Sequence, residues 1–441
     1  MSTKLLLPLF IAAVLSGTKV NAQEFTLAQA KEFALINHYQ ALNAELDLKI
    51  AKKKIWETTA IGLPQITGGA SYRNALDLEF DFPDEALMQP GNEFLALFGA
   101  DNITQGQLNV SQLLFDGTYI VGLKAAKTYQ QLSQDQKEKT ANDVKVSVST
   151  AYHLVLVARE NLKIVTESYA NMEKIADETA SFVAQGLLDE TELDQLKLSL
   201  TRLKNSKLNA ERSEKIALAM LKLNMGYEQE KELLLKDSLT GIIVETGIEA
   251  LLTQDFSSSS NLDLQVLSTQ RQLAKLDMQR YKMQRLPSLA AFYSGTATAY
   301  QLEFDWYKDA TWLTAQNVGI SLNIPIFSSG MQGAKIQQAR LELEKVDNSI
   351  AHFEKAIKIQ FNNALNDLTT KIEERANAKK SLVIAQKIYD RTVIKHKEGM
   401  ASSLELSQIE NQLLQAQGSY INAIFAMLNA KVELDKLQNK L

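Results

Sequence analysis

Two different hydrophobic periods alternate along this chain. In the first, apolar residues recur in steps of three and four, as at Val148, Ala151, Val155, Ala158, Leu162, Val165, Tyr169, Met172, Ala176, Thr179 and Val183. Leu406, Ile409, Leu413, Ala416, Tyr420, Ala423, Met427, Ala430 and Leu434 repeat the spacing. An average of about 3.5 residues per step lays one apolar seam along a helix and predicts left-handed packing between helices. Leu154, Val157, Ile164, Ile175 and Phe182 widen the first seam, as expected of a helix with neighbours on two sides. Residues 123–185, 187–225 and 334–398 contain neither glycine nor proline. Each run far exceeds the roughly 11-residue mean helix. Very long helices are the expectation.

The second period is two. Leu76, Leu78, Phe80 and Phe82 alternate with Asp77, Glu79 and Asp81. Leu108 and Val110 alternate with Gln107, Asn109 and Ser111, and Val318, Ile320, Leu322 and Ile324 with Asn317, Gly319, Ser321 and Asn323. Tyr300, Leu302, Phe304 and Trp306 alternate with Ala299, Gln301, Glu303 and Asp305. A strand with one apolar and one polar face lies between two environments. Aromatics on the apolar face suit the interfacial girdle of a membrane barrel, so Phe80, Phe82, Tyr300, Phe304 and Trp306 are candidates to face lipid.

These segments occur twice in one order. Leu63-Pro64 precedes the first strand pair, about 65–115, and Leu114-Phe115-Asp116-Gly117 opens a long helix. Leu286-Pro287 precedes the second pair, about 288–327, and Ile326-Phe327-Ser328-Ser329-Gly330 opens another. From Gly117 to Gly186 is 69 residues, and so is the interval from Gly330 to Gly399. Upstream, Ala51-Lys52 and Ala274-Lys275 share the 223-residue offset of the two prolines. The chain is a duplication. Residues 23–225 form the first repeat, with a hairpin over 118–225 turning at Gly186. Residues 226–260 link the repeats, and 261–441 form the second, with a hairpin over 330–441 turning at Gly399.

Composition narrows the class. Glycine and proline number 19 and 6, about 6% of 441 residues where roughly 12% is usual, which argues against loop-rich and collagen-like folds. No cysteine is present, so disulfides, thiol catalysis and cysteine-held metals are excluded. The four histidines, His38, His153, His352 and His396, are too scattered for a histidine-rich metal site. A net charge of −5 without a basic run gives no sign of nucleic-acid binding. No hydrolase or phosphate-binding motif occurs, and acidic pairs such as Glu373–Glu374 read as solvated faces. No catalysis and no cofactor are expected.

The N-terminus sets the compartment. Lys4, the apolar run Leu5 to Leu15 and the small residues before Gln23 describe a secretory signal peptide cut after Ala22. No cysteine follows that point, so a lipid-anchored lipoprotein is not expected. Loss of Lys4 and Lys19 takes the net charge to about −7. Beyond the signal, no apolar run approaches the ~20 residues of a transmembrane helix. A membrane-spanning mature chain must use strands, and four are too few for a barrel of roughly eight or more. Oligomerisation follows. Three copies would supply about 12 strands, although two copies with about eight also satisfy the count. A helix of 69 residues reaches roughly 100 Å, far beyond a ~30 Å hydrocarbon core.

The signal peptide, Leu63-Pro64-Gln65, the strand exit Gln112-Leu113-Leu114-Phe115-Asp116-Gly117, Asn261-Leu262-Asp263-Leu264 and the doubled rods together resemble the TolC-like outer-membrane efflux family. The resemblance spans essentially the whole mature chain. It implies a membrane β-barrel continued by a long α-helical coiled-coil barrel: a homotrimeric tube with 12 strands among the lipids of the outer membrane of a Gram-negative-type envelope, extending into the periplasm. It also implies a mixed equatorial region built from the N-terminal segment, residues 226–260 and the C-terminus. Its implied role is a passive tunnel in a tripartite export system, with a periplasmic adaptor protein and an inner-membrane transporter as partners.

The same resemblance points to the hairpin tips as functional sites. The family closes its periplasmic entrance with acids six and nine positions after the second-half glycine, here Glu405 and Gln408. The second position departs from the pattern, and so does Ala401, where a basic residue is often found. In the first half Asp189 and Glu192 are the corresponding gate candidates, within a cluster that also holds Glu190 and Asp194. Gly186, Leu187, Gly399 and Met400, farthest from the barrel, are the expected adaptor contacts. The competing reading is a periplasmic adaptor of such a system. That architecture carries one long hairpin followed by β-domains, whereas this chain has two hairpins and ends helical.

Overall fold

The structure is a computed structural model describing residues 23–74, 102–245, 257–301 and 312–441. The signal peptide, Phe80, Phe82, Phe304 and Trp306 lie outside these residues.

The glycine-free runs are helices of the expected length. In the first half α1 (Leu27–Asn37) and α2 (Tyr39–Ile61) lead to strands β2 (Gln65–Asn74) and β3 (Asn102–Phe115), then to α3 (Gly117–Ala184) and α4 (Glu190–Met225). The second half runs α6 (Leu262–Met283), β5 (Ser288–Gln301), β6 (Trp312–Asn323), α7 (Met331–Lys397) and α8 (Ser403–Gln438). A short strand β1 (Gln23–Phe25) begins the described chain, and β4 (Leu233–Leu235) and α5 (Leu239–Glu245) lie between the halves. α3 has 68 residues and α7 has 67. At ~1.5 Å per residue each rod is about 100 Å long.

Each rod is flanked by two shorter helices placed end to end. α3 packs along α4 and α2, and α7 along α8 and α6. Where α4 stops, Gly226 takes φ +68°, and a Cβ there would lie 2.3 Å from the Asn37 carbonyl oxygen at the α1–α2 junction. Where α8 stops, the Asn261 side chain donates to the Leu437 carbonyl at 3.3 Å while its oxygen caps α6. Both joints depend on short side chains.

The sequence motifs at the strand roots have mechanical roles. Asp116 caps α3 by accepting from the N–H groups of Thr118 and Tyr119 at 2.6 and 3.1 Å. Gln112 donates to the Gly62 carbonyl at 2.6 Å, and Gln65 to that of Ala60 at 2.8 Å, so both strands are tied to the end of α2. The four long strands form one antiparallel sheet in the order β2-β3-β5-β6. Among the described residues no helix is long and apolar enough to cross a membrane.

The core falls into two clusters. The larger lies at the equator, where β1 pairs in parallel with β4 and the Tyr152 hydroxyl donates toward the Phe25 carbonyl and the Asp237 carboxylate at 3.0 and 2.9 Å. Phe25, Phe33 and Tyr227 pack edge-on and tilted around that joint. The second cluster, near the hairpin tips, holds Met172, Ile175, Ala176, Leu196, Leu203, Tyr389, Leu406 and Leu413. In α8 the expected seam is buried at Leu406, Leu413, Met427, Ala430 and Leu434, but Ile409, Ala416, Tyr420 and Ala423 are only partly buried, and Glu410, Ile421, Ile424 and Leu428 are buried beside it. The 3.5 spacing locates the right face to within one residue, and α8 turns Glu410 rather than Ile409 inward.

Candidate functional site

Both hairpins turn by the same device. Gly186 and Gly399 take φ +72° and +75°, the left-handed region open to glycine at little cost. Gly186 N–H donates to Val183 and Leu187 N–H to Phe182; Gly399 N–H donates to His396 and Met400 N–H to Lys395, all at 2.8–3.0 Å. Each pair is a Schellman closure of the preceding helix. The returning helices are capped by Asp189, which accepts from Thr191 N–H at 2.8 Å, and by Ser402, which accepts from Glu405 N–H at 3.2 Å. Leu187 and Met400, each 65% exposed, project from the two tips. Each tip presents one large apolar side chain to solvent.

The four gate candidates occupy different environments. Glu405 and Gln408 are exposed on the first turns of α8. Asp189 is exposed, and the hydrogen bonds from the Thr191 hydroxyl and N–H hold its carboxyl below the usual range. Glu192 is half-buried and reaches the other hairpin, where its Oε2 accepts from Ser403 N–H at 2.6 Å. Ser403 Oγ in turn shares a 3.1 Å hydrogen bond with His396 Nε2. Burial lowers the His396 pKa, opposed by the nearby charges of Glu192 and Glu178. Lys397 pairs with Glu178 at 3.3 Å, and Ser199 Oγ donates to Ser407 Oγ at 2.8 Å. The two tips are thus joined by polar contacts that single-helix patterns do not reveal.

At the opposite end the sheet separates two faces. The register aligns Ile66, Val110, Tyr293 and Val318 in one row across all four strands. Val318 is 84% exposed, and Ile320 and Leu322 continue the apolar line along β6. The other face carries Thr67, Asn109, Ser294 and Asn317 in the adjoining row. Tyr300 pairs with Ile103 and shares its face with Ser294, Thr296 and Thr298. At that strand end the expected aromatic alternation therefore starts on the polar face, opposite Tyr293.

Known proteins share this arrangement. The model of the outer membrane efflux protein family matches residues 32–227 and 257–440. Outer membrane protein TolC of Escherichia coli (strain K12) is 21% identical over 99% of this chain and 87% of its own length. Outer membrane protein TolC of Vibrio cholerae is 22% identical over 97% and 95%. The crystal structure of the Campylobacter jejuni CmeC outer membrane channel superposes with a TM-score of 0.70 at 18% identity, covering 94% of this chain and 86% of that one. With the family model spanning both halves, this chain belongs to the outer membrane efflux protein family.

Proposed function

We propose that three copies of the mature chain, released by cleavage after Ala22, close into one tube that carries export substrates passively from the periplasmic side to the exterior. The observation that carries this reading is the sheet. Among the described residues β2 and β6 each pair on one side only, and the β6 face exposes Val318, Ile320 and Leu322. A sheet with two open edges and a bare apolar face is unstable in water. Joining β6 of one copy to β2 of the next through three copies gives about 12 strands, removes every edge and turns the apolar face to lipid. The exposure of Leu341, Ile359, Val383 and Ile384 along α7 supports the same closure among the rods.

In this reading the rods cross the periplasm, and the tips around Gly186, Leu187, Gly399 and Met400 meet a periplasmic adaptor coupled to an inner-membrane transporter. Glu405 would form a ring of three carboxylates at the entrance, with Gln408 one turn above it. Fractionation tests the membrane assignment. The protein should remain with outer membranes through high-salt washing, and release by salt would favour a peripheral adaptor instead.

A further inference from the structure

Glu410 stands out among the ionisable groups of the tip bundle. It lies on α8 between Leu406 and Leu413, four residues from one and three from the other, so all three share a face. Only 3% of its surface is exposed, and neither carboxyl oxygen meets hydrogen-bond geometry. Ser168 faces it from α3 and Tyr389 from α7. The α4 residues of this layer, Leu196, Ser199 and Leu203, carry no charge. Tyr169 of α3 borders the same cluster, but its hydroxyl donates to Glu173 at 3.1 Å. A carboxylate here would be a buried charge without a cationic partner.

We propose that Glu410 is a proton-operated lock on the hairpin tips: its neutral carboxyl packs in the seam and holds α8 against α3 and α7, and its ionisation releases that contact. Three observations converge on this. The group sits between Leu406 and Leu413 of the small tip cluster, which is separate from the larger equatorial core. Burial pushes its carboxyl above the usual carboxylate range, so its proton is lost under less acidic conditions than from a free carboxyl. The remaining ties between the hairpins at this end are that one small apolar cluster and the polar contacts Ser199–Ser407, Glu192–Ser403 and Lys397–Glu178. Ionising a carboxyl buried in so small a cluster, without a cationic partner, opposes the packing that holds it.

The sign follows from the direction of the shift. A folded-state pKa raised above the unfolded value gives tip packing that is full at low pH and weakens as pH rises through the folded value. The tips should therefore be tight in acid and looser in alkali. Glu405 and Asp189 are exposed and lie outside this seam, and the His396–Ser403–Glu192 chain lies nearer the turns.

The chain has no cysteine, so a spin-label pair can be placed without background. Gln185→Cys on the first hairpin and Leu404→Cys on the second, both exposed, report the tip separation by pulsed electron resonance in the detergent-extracted protein. This distance is read whether or not the protein conducts, so its outcome is independent of the channel assignment. In the wild-type background the shortest distance, that within one chain, should be sharp at about pH 5 and longer or broader at about pH 9. Glu410→Gln, which keeps the shape and cannot ionise, should lose that response and stay short at both values. Glu410→Leu, an apolar replacement of similar volume, should do the same. A distance unchanged between the two pH values in the wild-type background overturns the proposal. So does a Glu410→Gln or Glu410→Leu protein that still shows the full pH response.

Discussion

Glu192 on the first hairpin accepts a hydrogen bond from the Ser403 N–H on the second, at 2.6 Å, across 211 residues of sequence. Ser403 is the first residue of α8, so the carboxylate also meets the positive end of that helix. One side chain thus serves two elements, holding the tips together and completing the cap of α8. Glu192→Ala should loosen this contact by about 1 kcal/mol, because the half-exposed site lowers the usual value for a charged acceptor. That shifts the balance between closed and open tips by about fivefold. Planar-bilayer recordings should show a higher mean conductance for Glu192→Ala and a smaller change for Glu192→Gln. Identical conductance in all three would assign the tie no role in closure.

The glycines separate strain from clash. At Gly186 a Cβ meets nothing within 4 Å, so Gly186→Val suffers only the left-handed backbone, about 1 kcal/mol or more. At Gly226 the same φ penalty is joined by a Cβ 2.3 Å from the Asn37 carbonyl, where backbone meets backbone. Gly226→Ala should therefore lower the melting temperature clearly more than Gly186→Ala. Adaptor pull-down should show the converse, with tip substitutions in both halves weakening capture while membrane insertion persists. Equal melting temperatures for the two alanine variants would mean that the α4–α2 joint yields easily.

How much of this is legible in the sequence depends on how local each cause is. Gly186 and Gly399 are readable because a glycine that ends a long glycine-free helical pattern marks the turn itself. Asp116 and Asn261 are readable as helix starts, since a cap acts on its own next turn. Glu410 is not. A 3.5-residue seam prefers the apolar Ile409, and only the packing of three helices decides which neighbour turns inward. The Glu192–Ser403 tie is hidden for the same reason, being a contact between repeats rather than within one. Strand register is a third such case, since alternation along one strand does not say which residue of the next lies beside Tyr300, and the β3–β5 pairing places Ile103 there.

Glu405 should set ion preference at the proposed entrance. Three such carboxylates converging on an axis would repel one another and attract cations, with the effect screened by salt. Glu405→Ala should lower cation preference and weaken block by divalent cations, and Glu405→Lys should shift preference toward anions. Reversal potentials under a salt gradient provide the measurement. If both variants matched the parent, the selective ring would have to be sought among the first-half acids Asp189 and Glu192.

His153 links the equatorial core to acid stability. It is buried between α3, α1 and α8, neither ring nitrogen meets hydrogen-bond geometry, and burial pushes its pKa down to about 4. Lys31 and Lys431 add to the depression, while Asn429 opposes it. Below about pH 6.5 the unfolded histidine binds a proton that the folded one rejects, so stability is lost as pH falls from there toward about 4. The full effect is on the order of 3 kcal/mol. His153→Leu should flatten the fall in denaturant midpoint across that interval. An unchanged acid slope would show that the ring is protonated in place.

The proposed entrance ring and tunnel rest on one chain contributing one third of a closed tube, because among the described residues the four-stranded sheet leaves the β2 and β6 edges and the Val318 face uncovered. Native mass spectrometry of the detergent-extracted protein counts the chains. A single species of three chains that withstands removal of the detergent micelle is expected, and a stable monomer or dimer would contradict the closed tube.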